Sequence, residues 1–172
     1  RGGRDLVDET IYPDIEEFWE DLCLAYQDEV QFLYDEGCRY LQLDDTTFAM
    51  LCDPKIRAQM ADRGDDPAEL VRTYARGIEK ALEKRPEDMT VTVHMCRGNY
   101  KSSWIAEGGY EVVAEDMFEG ISLDGFFMEY DTERAGGFEP LRFAPPNTTV
   151  VLGLVSSKLA EMEQKDDLKR RV

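Results

Sequence analysis

The residues with the clearest capacity for chemistry are a histidine and a cysteine at the end of a predicted strand. His94 is the one histidine of the chain, and Cys96 follows it by two positions, after the β-branched segment 90–93. Such a segment predicts a buried strand. Side chains alternate between the faces of a strand, so both residues point the same way if the strand continues that far. Imidazole and thiolate are zinc ligands, and the pair would supply half of a tetrahedral zinc site.

A third candidate ligand, Glu129, ends the next predicted strand along the chain. Its neighbours are apolar, and an unpaired carboxylate in such surroundings is costly. Three candidate ligands at adjacent strand ends favour a metal site. Two alternatives remain open: Glu129 forms a salt bridge with Arg97 or Arg134, and the histidine and cysteine merely complete a core strand.

Two consecutive aspartates, Asp44 and Asp45, end an earlier predicted strand. Two carboxylates at this position could bind a substrate amine, and they could equally cap a helix or form a solvated loop. Cys52 follows on the same side of the predicted sheet and is an outside candidate for a metal ligand. Cys38, at the opposite end of its strand, and Cys23, inside a helix, are predicted to pack in the core.

Helices and strands alternate along the chain, which is typical of an α/β fold with a parallel sheet and crossover helices. A doubly wound sheet and half of a (β/α)8 barrel both fit this order. No Gly-x-Gly-x-x-Gly motif follows a strand, which weakens the dinucleotide-binding version. The candidate residues lie at carboxyl ends of strands, where (β/α)8 barrels build their active sites. The predicted elements are helix 15–36, strand 38–43, short helix and loop 48–66, helix 67–84, strand 90–95, helix 110–119, strand 125–130, strand 149–154 and a helical end, 159–172.

A complete TIM-type barrel has eight strands and takes about 250 residues, so four strands make half of one. The chain has 172 residues. We therefore predict one partial TIM-type barrel domain over residues 1–172, with residues 1–12 as a loop. Half a barrel exposes two unpaired strand edges and the inner faces of its strands.

The charge balance restricts the classes of partner. The chain has 20 basic and 37 acidic residues and a net charge of −17, which argues against nucleic acid or an anionic membrane as a partner. No apolar run approaches the roughly 20 residues of a membrane span. The first residues lack the apolar core of a signal peptide. Four cysteines in an acidic, helix-rich chain indicate reduced thiols, and we expect a cytoplasmic protein.

Four segments of the chain resemble segments of the catalytic barrel of cobalamin-independent methionine synthase, and they occur in the same order as in that family. The likeness is greater to the single-barrel bacterial relatives of that enzyme, and it extends from about residue 13 to the end of the chain. It implies that the chain carries about the C-terminal half of the barrel. The segments are YLQLDDT at 40–46, HMCRGN at 94–99, FMEYD at 127–131 and VVLGLVSSK at 150–158.

The resemblance implies a zinc-dependent methyltransferase acting on a thiol such as homocysteine, with a methyltetrahydrofolate-type methyl donor. His94, Cys96 and Glu129 correspond to three of the four zinc ligands of the family. Asp44 corresponds to the aspartate that holds the amino group of homocysteine, and Asp45 to the acidic residue beside it. The partners implied are a small-molecule thiol, a methyl donor and the missing half barrel, from the same protein or another copy.

The sequence departs from the family pattern in three ways. The fourth ligand is a cysteine in the family, and no cysteine follows Cys96 here. The segment 156–158 lacks the histidine acid of the methionine synthases, so Asp45, Lys158 or a water would have to serve. Met50 stands where a second acidic residue helps to hold the amino acid. Two alternatives stay open: a zinc alkyl transferase or lyase acting on another thiol, such as coenzyme M, and an inert fragment without the fourth ligand.

Overall fold

The core of the fold is a four-stranded parallel sheet, described by a computed structural model over residues 7–172. The strands follow one another in the sheet in chain order, so each crossover leads to the adjacent strand. The predicted α/β fold with four parallel strands is therefore confirmed. The strands are β1 (Tyr40–Asp45), β2 (Thr90–Met95), β3 (Gly125–Glu129) and β4 (Thr149–Gly153).

The long helices lie where the apolar periodicity placed them, with shorter ends. The segment 48–66, predicted as one short helix and a loop, instead contains two α-helices. One predicted helix, 110–119, is divided into a 3-10 turn (Tyr110–Val112) and an α-helix, and the helical end is confined to its last residues. Residues 7–12 have turns and no helix or strand, and the rest of the predicted N-terminal loop lies outside the described residues. The α-helices are α1 (Ile15–Asp35), α2 (Thr47–Cys52), α3 (Pro54–Asp62), α4 (Pro67–Ala81), α5 (Ala114–Gly120) and α6 (Lys165–Arg171).

Strand β1 begins two residues later than the sequence predicted, because Cys38 belongs to the end of α1. Gly37 has a φ of 98°, a left-handed conformation that glycine adopts at helix ends. The N–H of Cys38 then donates to the carbonyl of Leu33 at 2.9 Å. With its amide used by the helix, the chain joins the sheet only at Tyr40 and continues through both aspartates.

The two faces of the sheet differ in cover. One face is packed by helices, and its residues Val91, Val93 and Phe126 are fully buried together with Val71 of α4 and Phe118 of α5. The alternate residues form the other face, which is open: Tyr40 is 53% and Val151 37% exposed. A doubly wound sheet would cover both faces. Helices on one face are consistent with an arc of a TIM-type barrel, and the closed barrel stays a prediction. None of the helices in residues 7–172 is long and apolar enough to cross a membrane.

Asp53 ties the start of α3 to a distant loop. Its carboxylate accepts the N–H groups of Lys55 at 2.8 Å, Ile56 at 3.4 Å and Glu107 at 3.0 Å. Burial by itself would raise the pKa of Asp53, but the bond from Glu107, the other N–H groups and the Lys55 charge outweigh it and lower the pKa. Asp53 thus stabilises the fold in its ionised form.

We expect Asp53→Ala to lower the free energy of unfolding by about 1–3 kcal/mol at neutral pH, since three backbone N–H groups lose their buried acceptor. Because the folded-state pKa is depressed, this stabilisation is present above the unfolded pKa of about 3.9 and is lost as the pH falls through the folded pKa. Urea unfolding at several pH values measures it. Asp66→Ala is the matched control, since exposed Asp66 accepts one N–H at the start of α4. A cost no larger than that of the control would contradict the assignment.

The open face and the two edge strands lead to a second prediction. We expect the 172-residue chain alone to self-associate, because apolar side chains such as Val155, 66% exposed, lie unprotected beside unpaired strand edges. Size-exclusion chromatography with light scattering measures the mass. A compact monomer at micromolar concentration would count against the half-barrel interpretation.

Candidate functional site

The candidate site lies at the carboxyl edge of the sheet, where Asp44, His94 and Cys96 meet. One ligand atom from each lies within 4.8 Å of the others. The parallel register pairs Asp44 with His94, and their side-chain atoms Oδ1 and Nε2 are 3.9 Å apart. The N–H of Cys96 donates to the carbonyl of Asp45 at 2.7 Å, so the ladder continues one position beyond β2. This extension places Cys96 on the face of His94, as predicted.

The loop that follows Cys96 turns back toward its sulfur. The N–H of Gly98 donates to the Cys96 sulfur at 3.4 Å. Gly98 has a φ of 85°, and a Cβ there would lie 2.8 Å from the Ile105 side chain. Imidazole, thiolate and carboxylate together form a donor set that suits zinc. The residues present therefore fit a zinc ion, with one further position to be filled.

Glu129 lies outside this group of three donors. Continuing the register of β2 with β3 by one position places Cys96 opposite Glu129 on the same face. The carboxylate of Glu129 is already engaged: Oε1 accepts the backbone N–H of Arg97 at 3.1 Å, and Oε2 accepts Arg134 at 3.1 Å and Lys158 at 3.2 Å. The salt bridge to Arg134 that the sequence left open is therefore present, whereas Arg97 contributes only its backbone.

A buried ionic cluster continues from Glu129 into the loops after β3 and β4. Asp131 accepts Arg134 at 2.9 Å and the hydroxyl of Ser156 at 2.8 Å, and Lys158 lies 3.8 Å from it. Burial would raise the pKa of Asp131, but the bonds from Ser156 and Arg134 and the charges of Arg134 and Lys158 lower it. Two carboxylates thus face two cations in a region largely shielded from water. The sequence analysis did not predict this cluster, although three acidic residues and an arginine lie close together in 129–134.

Asp45 does not join the site, which corrects the prediction that both aspartates face a substrate. It follows Asp44 on a continuous strand and so points to the opposite, helix-facing side. Its Oδ1 accepts the N–H of Phe48 at 3.0 Å at the start of α2. Burial and the charge of Asp44 raise its pKa despite that bond. Asp45 lines a cavity of about 390 Å³ beside the edge strand β1, together with Asp44, Trp19 and Tyr74.

The other cysteines lie away from the donor group. Cys52 is 3% exposed, its thiol donates to the carbonyl of Phe48 at 3.3 Å, and burial raises its pKa to about 11. It is a core residue, so its candidacy as a ligand is not supported. Cys23 is also buried, as predicted, and its thiol donates to the carbonyl of Gly77 at 3.4 Å. Cys38 is partly exposed and lies at the far end of β1.

The loop between Cys96 and α5 is held against the site by contacts of Arg97, Trp104 and Gly108, and the burial of the Arg97 side chain was not predicted from the sequence. The side chain of Arg97 is buried over the ring of Tyr110, 4.4 Å from its centroid. Trp104 stacks on Arg134, with the guanidinium 4.7 Å from the indole centroid. The end of the loop is anchored at Gly108, whose N–H donates to the carbonyl of Arg134 at 2.8 Å. The loop therefore touches the same arginine that binds Glu129.

Comparison with known proteins gives similar chains but no established activity. No protein-family profile matches the chain. The uncharacterized protein YxjH of Bacillus subtilis (strain 168) is 46% identical over 167 residues, 96% of this chain and 44% of the relative. The uncharacterized protein YxjG of the same organism is 49% identical over 160 residues, 92% of this chain and 42% of the relative.

A solved structure from Listeria monocytogenes, provisionally named a vitamin-B12 independent methionine synthase, is also similar. The two share 42% sequence identity with a TM-score of 0.70, over 92% of this chain and 43% of the other. The name agrees with the resemblance that the four segments indicated. The chain spans less than half the length of each of these relatives.

The anchoring of the loop can be tested at Gly108. Its φ is 118°, and an added Cβ would collide with the backbone carbonyl of Cys52. We expect Gly108→Ala to cost at least about 2 kcal/mol of stability. Gly64→Ala is the matched control, because Gly64 also has a positive φ, 89°, but open space around it. We expect it to cost only about 1 kcal/mol. Equal melting temperatures for the two variants would disprove the close approach.

Proposed function

We propose that this chain forms part of a zinc-dependent methyltransferase that transfers a methyl group to a thiol, with homocysteine as the expected acceptor. The observation that carries the proposal is the convergence of Asp44, His94 and Cys96 at one sheet edge. The 42% identity to the Listeria structure supports the reaction class. The proposed donor is a methyltetrahydrofolate-type molecule.

Each residue has a proposed role that follows from its position. His94 and Cys96 are proposed to hold the zinc. Glu129, rather than Asp44, is proposed to provide the carboxylate ligand, because it lies opposite Cys96 and leaves Asp44 for the acceptor. Asp44 is proposed to bind the ammonium group of the acceptor, since its side chain is 69% exposed and faces the open side. A zinc ion held by His94 and Cys96 would lower the pKa of a bound acceptor thiol from about 8.5, so that the thiolate would form at neutral pH.

The methyl donor needs an acid that protonates its leaving nitrogen. The two side chains that the sequence suggested for this role, Asp45 and Lys158, are both engaged elsewhere. Asp45 caps a helix on the opposite face of the sheet. Lys158 is paired with Glu129 at 3.2 Å. We therefore propose that water or a group outside the described residues delivers this proton. The same shortage favours, as a second candidate, a zinc alkyl transferase whose donor needs no protonation.

The open edges of the sheet require a further partner in our proposal. Because β1 and β4 have unpaired edges and the relatives are more than twice as long, we propose that a second half barrel completes the fold. It comes from the same protein or from another copy, and it would also supply the missing fourth ligand. The remaining alternative is that the 172-residue chain by itself is inert.

The proposal is tested by zinc content, measured by elemental analysis on the chain and on a form extended to the length of the relatives. We expect about one zinc per chain in the extended form and none after Cys96→Ser, because a thiolate ligand is lost. Cys38→Ser is the matched control, since it removes a partly exposed thiol far from the site.

The outcomes separate the candidates. Zinc in both forms of the wild type, lost with Cys96→Ser, would allow acceptor thiols to be compared by calorimetry. Zinc in the extended form alone would mean that the 172-residue chain is an inert part of an active protein. The methyltransferase proposal would be abandoned if neither form bound zinc, or if Cys96→Ser retained it.

A further inference from the structure

The carboxylate of Glu129 has nearly all of its hydrogen-bonding capacity in use. An ionised carboxylate offers about four acceptor positions, two on each oxygen. Arg134 and Lys158 occupy both positions on Oε2, and the N–H of Arg97 takes one on Oε1. One position therefore remains, on Oε1. A metal ion that recruits Glu129 must accept a single oxygen or displace a donor.

Of the three donors, Lys158 is the one able to leave. The Arg97 donor is a backbone amide fixed beside the strand end. Arg134 is shared with Asp131, since the same nitrogen, Nη2, also contacts both oxygens of that carboxylate at 2.9 Å. Lys158 has a flexible side chain, and its Nζ lies 3.2 Å from Glu129 and 3.8 Å from Asp131. A small shift would transfer the ammonium from one carboxylate to the other.

The charge balance of the ionic cluster also favours the release of Lys158 when a metal binds. The side chains of Lys158 and Arg134 are both 6% exposed, and those of Glu129 and Asp131 are 15% and 4% exposed. Two negative and two positive charges therefore neutralise one another away from water. A divalent cation at His94 and Cys96 would add positive charge beside this balanced cluster, and Lys158 would repel it.

We propose that Lys158 is the resident counter-ion of Glu129 in the metal-free protein and that Glu129 becomes a metal ligand by releasing it. On metal binding the ammonium moves to Asp131, which Ser156 already orients. The inference rests on the proposed function, because it takes His94 and Cys96 as the primary ligands. Lys158 is thus a positioning residue that weakens metal binding and makes it depend on an internal exchange of cations.

The test is a titration with cobalt(II), followed by the visible absorption of the metal and the near-ultraviolet thiolate band, in the extended protein used for zinc analysis. We expect Lys158→Met to bind cobalt about tenfold more tightly, because a competing charge is removed. Lys158→Arg, which keeps the charge, should bind no more tightly than the wild type. Lys55→Met, which removes an exposed ion pair with Glu107, is the matched control and should leave the affinity unchanged.

A further pair of variants tests whether the effect passes through Glu129. In a Glu129→Gln background, Lys158→Met should tighten cobalt binding clearly less than it does in the wild type, because only the direct repulsion between Lys158 and the metal is then removed. If Lys158→Met unfolds the protein, as circular dichroism would reveal, Lys158→Gln serves with the same expectation. Unchanged or weaker binding in a folded Lys158→Met or Lys158→Gln variant, with Cys96→Ser still abolishing the spectrum, would overturn this inference and leave the proposed function standing. A cobalt spectrum that survives Cys96→Ser would instead refute the proposed function.

Discussion

The parallel pairing of β1 with β2 is the constraint on which the candidate site depends. It aligns Asp44 with His94 and carries the ladder on to Cys96, whose amide donates to the carbonyl of Asp45. A shift of one residue in this register would turn one partner to the opposite face of the sheet. The site needs no unusual backbone within the strands, only a fixed register and a common edge. The special conformations follow in the loop, at Gly98 and Gly108.

The second organising feature is the buried ionic cluster of Glu129, Asp131, Arg134 and Lys158, with Ser156. It joins the loops that follow β3 and β4, and the stacking of Trp104 on Arg134 adds the loop that follows β2. Removing one member of such a cluster leaves a buried charge without compensation. The geometry of Glu129 is therefore a property of three loops together, and any change in its ligation must be accompanied by a rearrangement of charge.

The two faces of the sheet differ in how they are covered, and the uncovered face is consistent with relatives that are longer than this chain. Helices cover one face, while the face that carries Asp44, His94 and Glu129 is open in the described part of the chain. Polar residues at the carboxyl edge of such a face would line the mouth of a closed barrel. The likeness to chains more than twice as long fits this arrangement.

The sequence by itself determined the strands, their order along the chain and the shared face of His94 and Cys96, because these follow from local periodicity. The face of each side chain in a strand depends only on whether its position is odd or even. The same rule would have separated Asp44 from Asp45, had the sequence shown that β1 continues through both. That extent was hidden because aspartate is depleted in strands, so the acidic pair predicted the end of β1.

Only the tertiary structure decided which groups surround Glu129. The sequence left Arg97 and Arg134 as equal candidates, and it did not connect Lys158 to the carboxylate at all. The outcome depends on how separate loops pack at one edge, which places a backbone amide, a guanidinium and an ammonium on the two oxygens. Periodicity assigns residues to faces, whereas the partners of a long charged side chain are chosen by contacts between segments far apart in the chain.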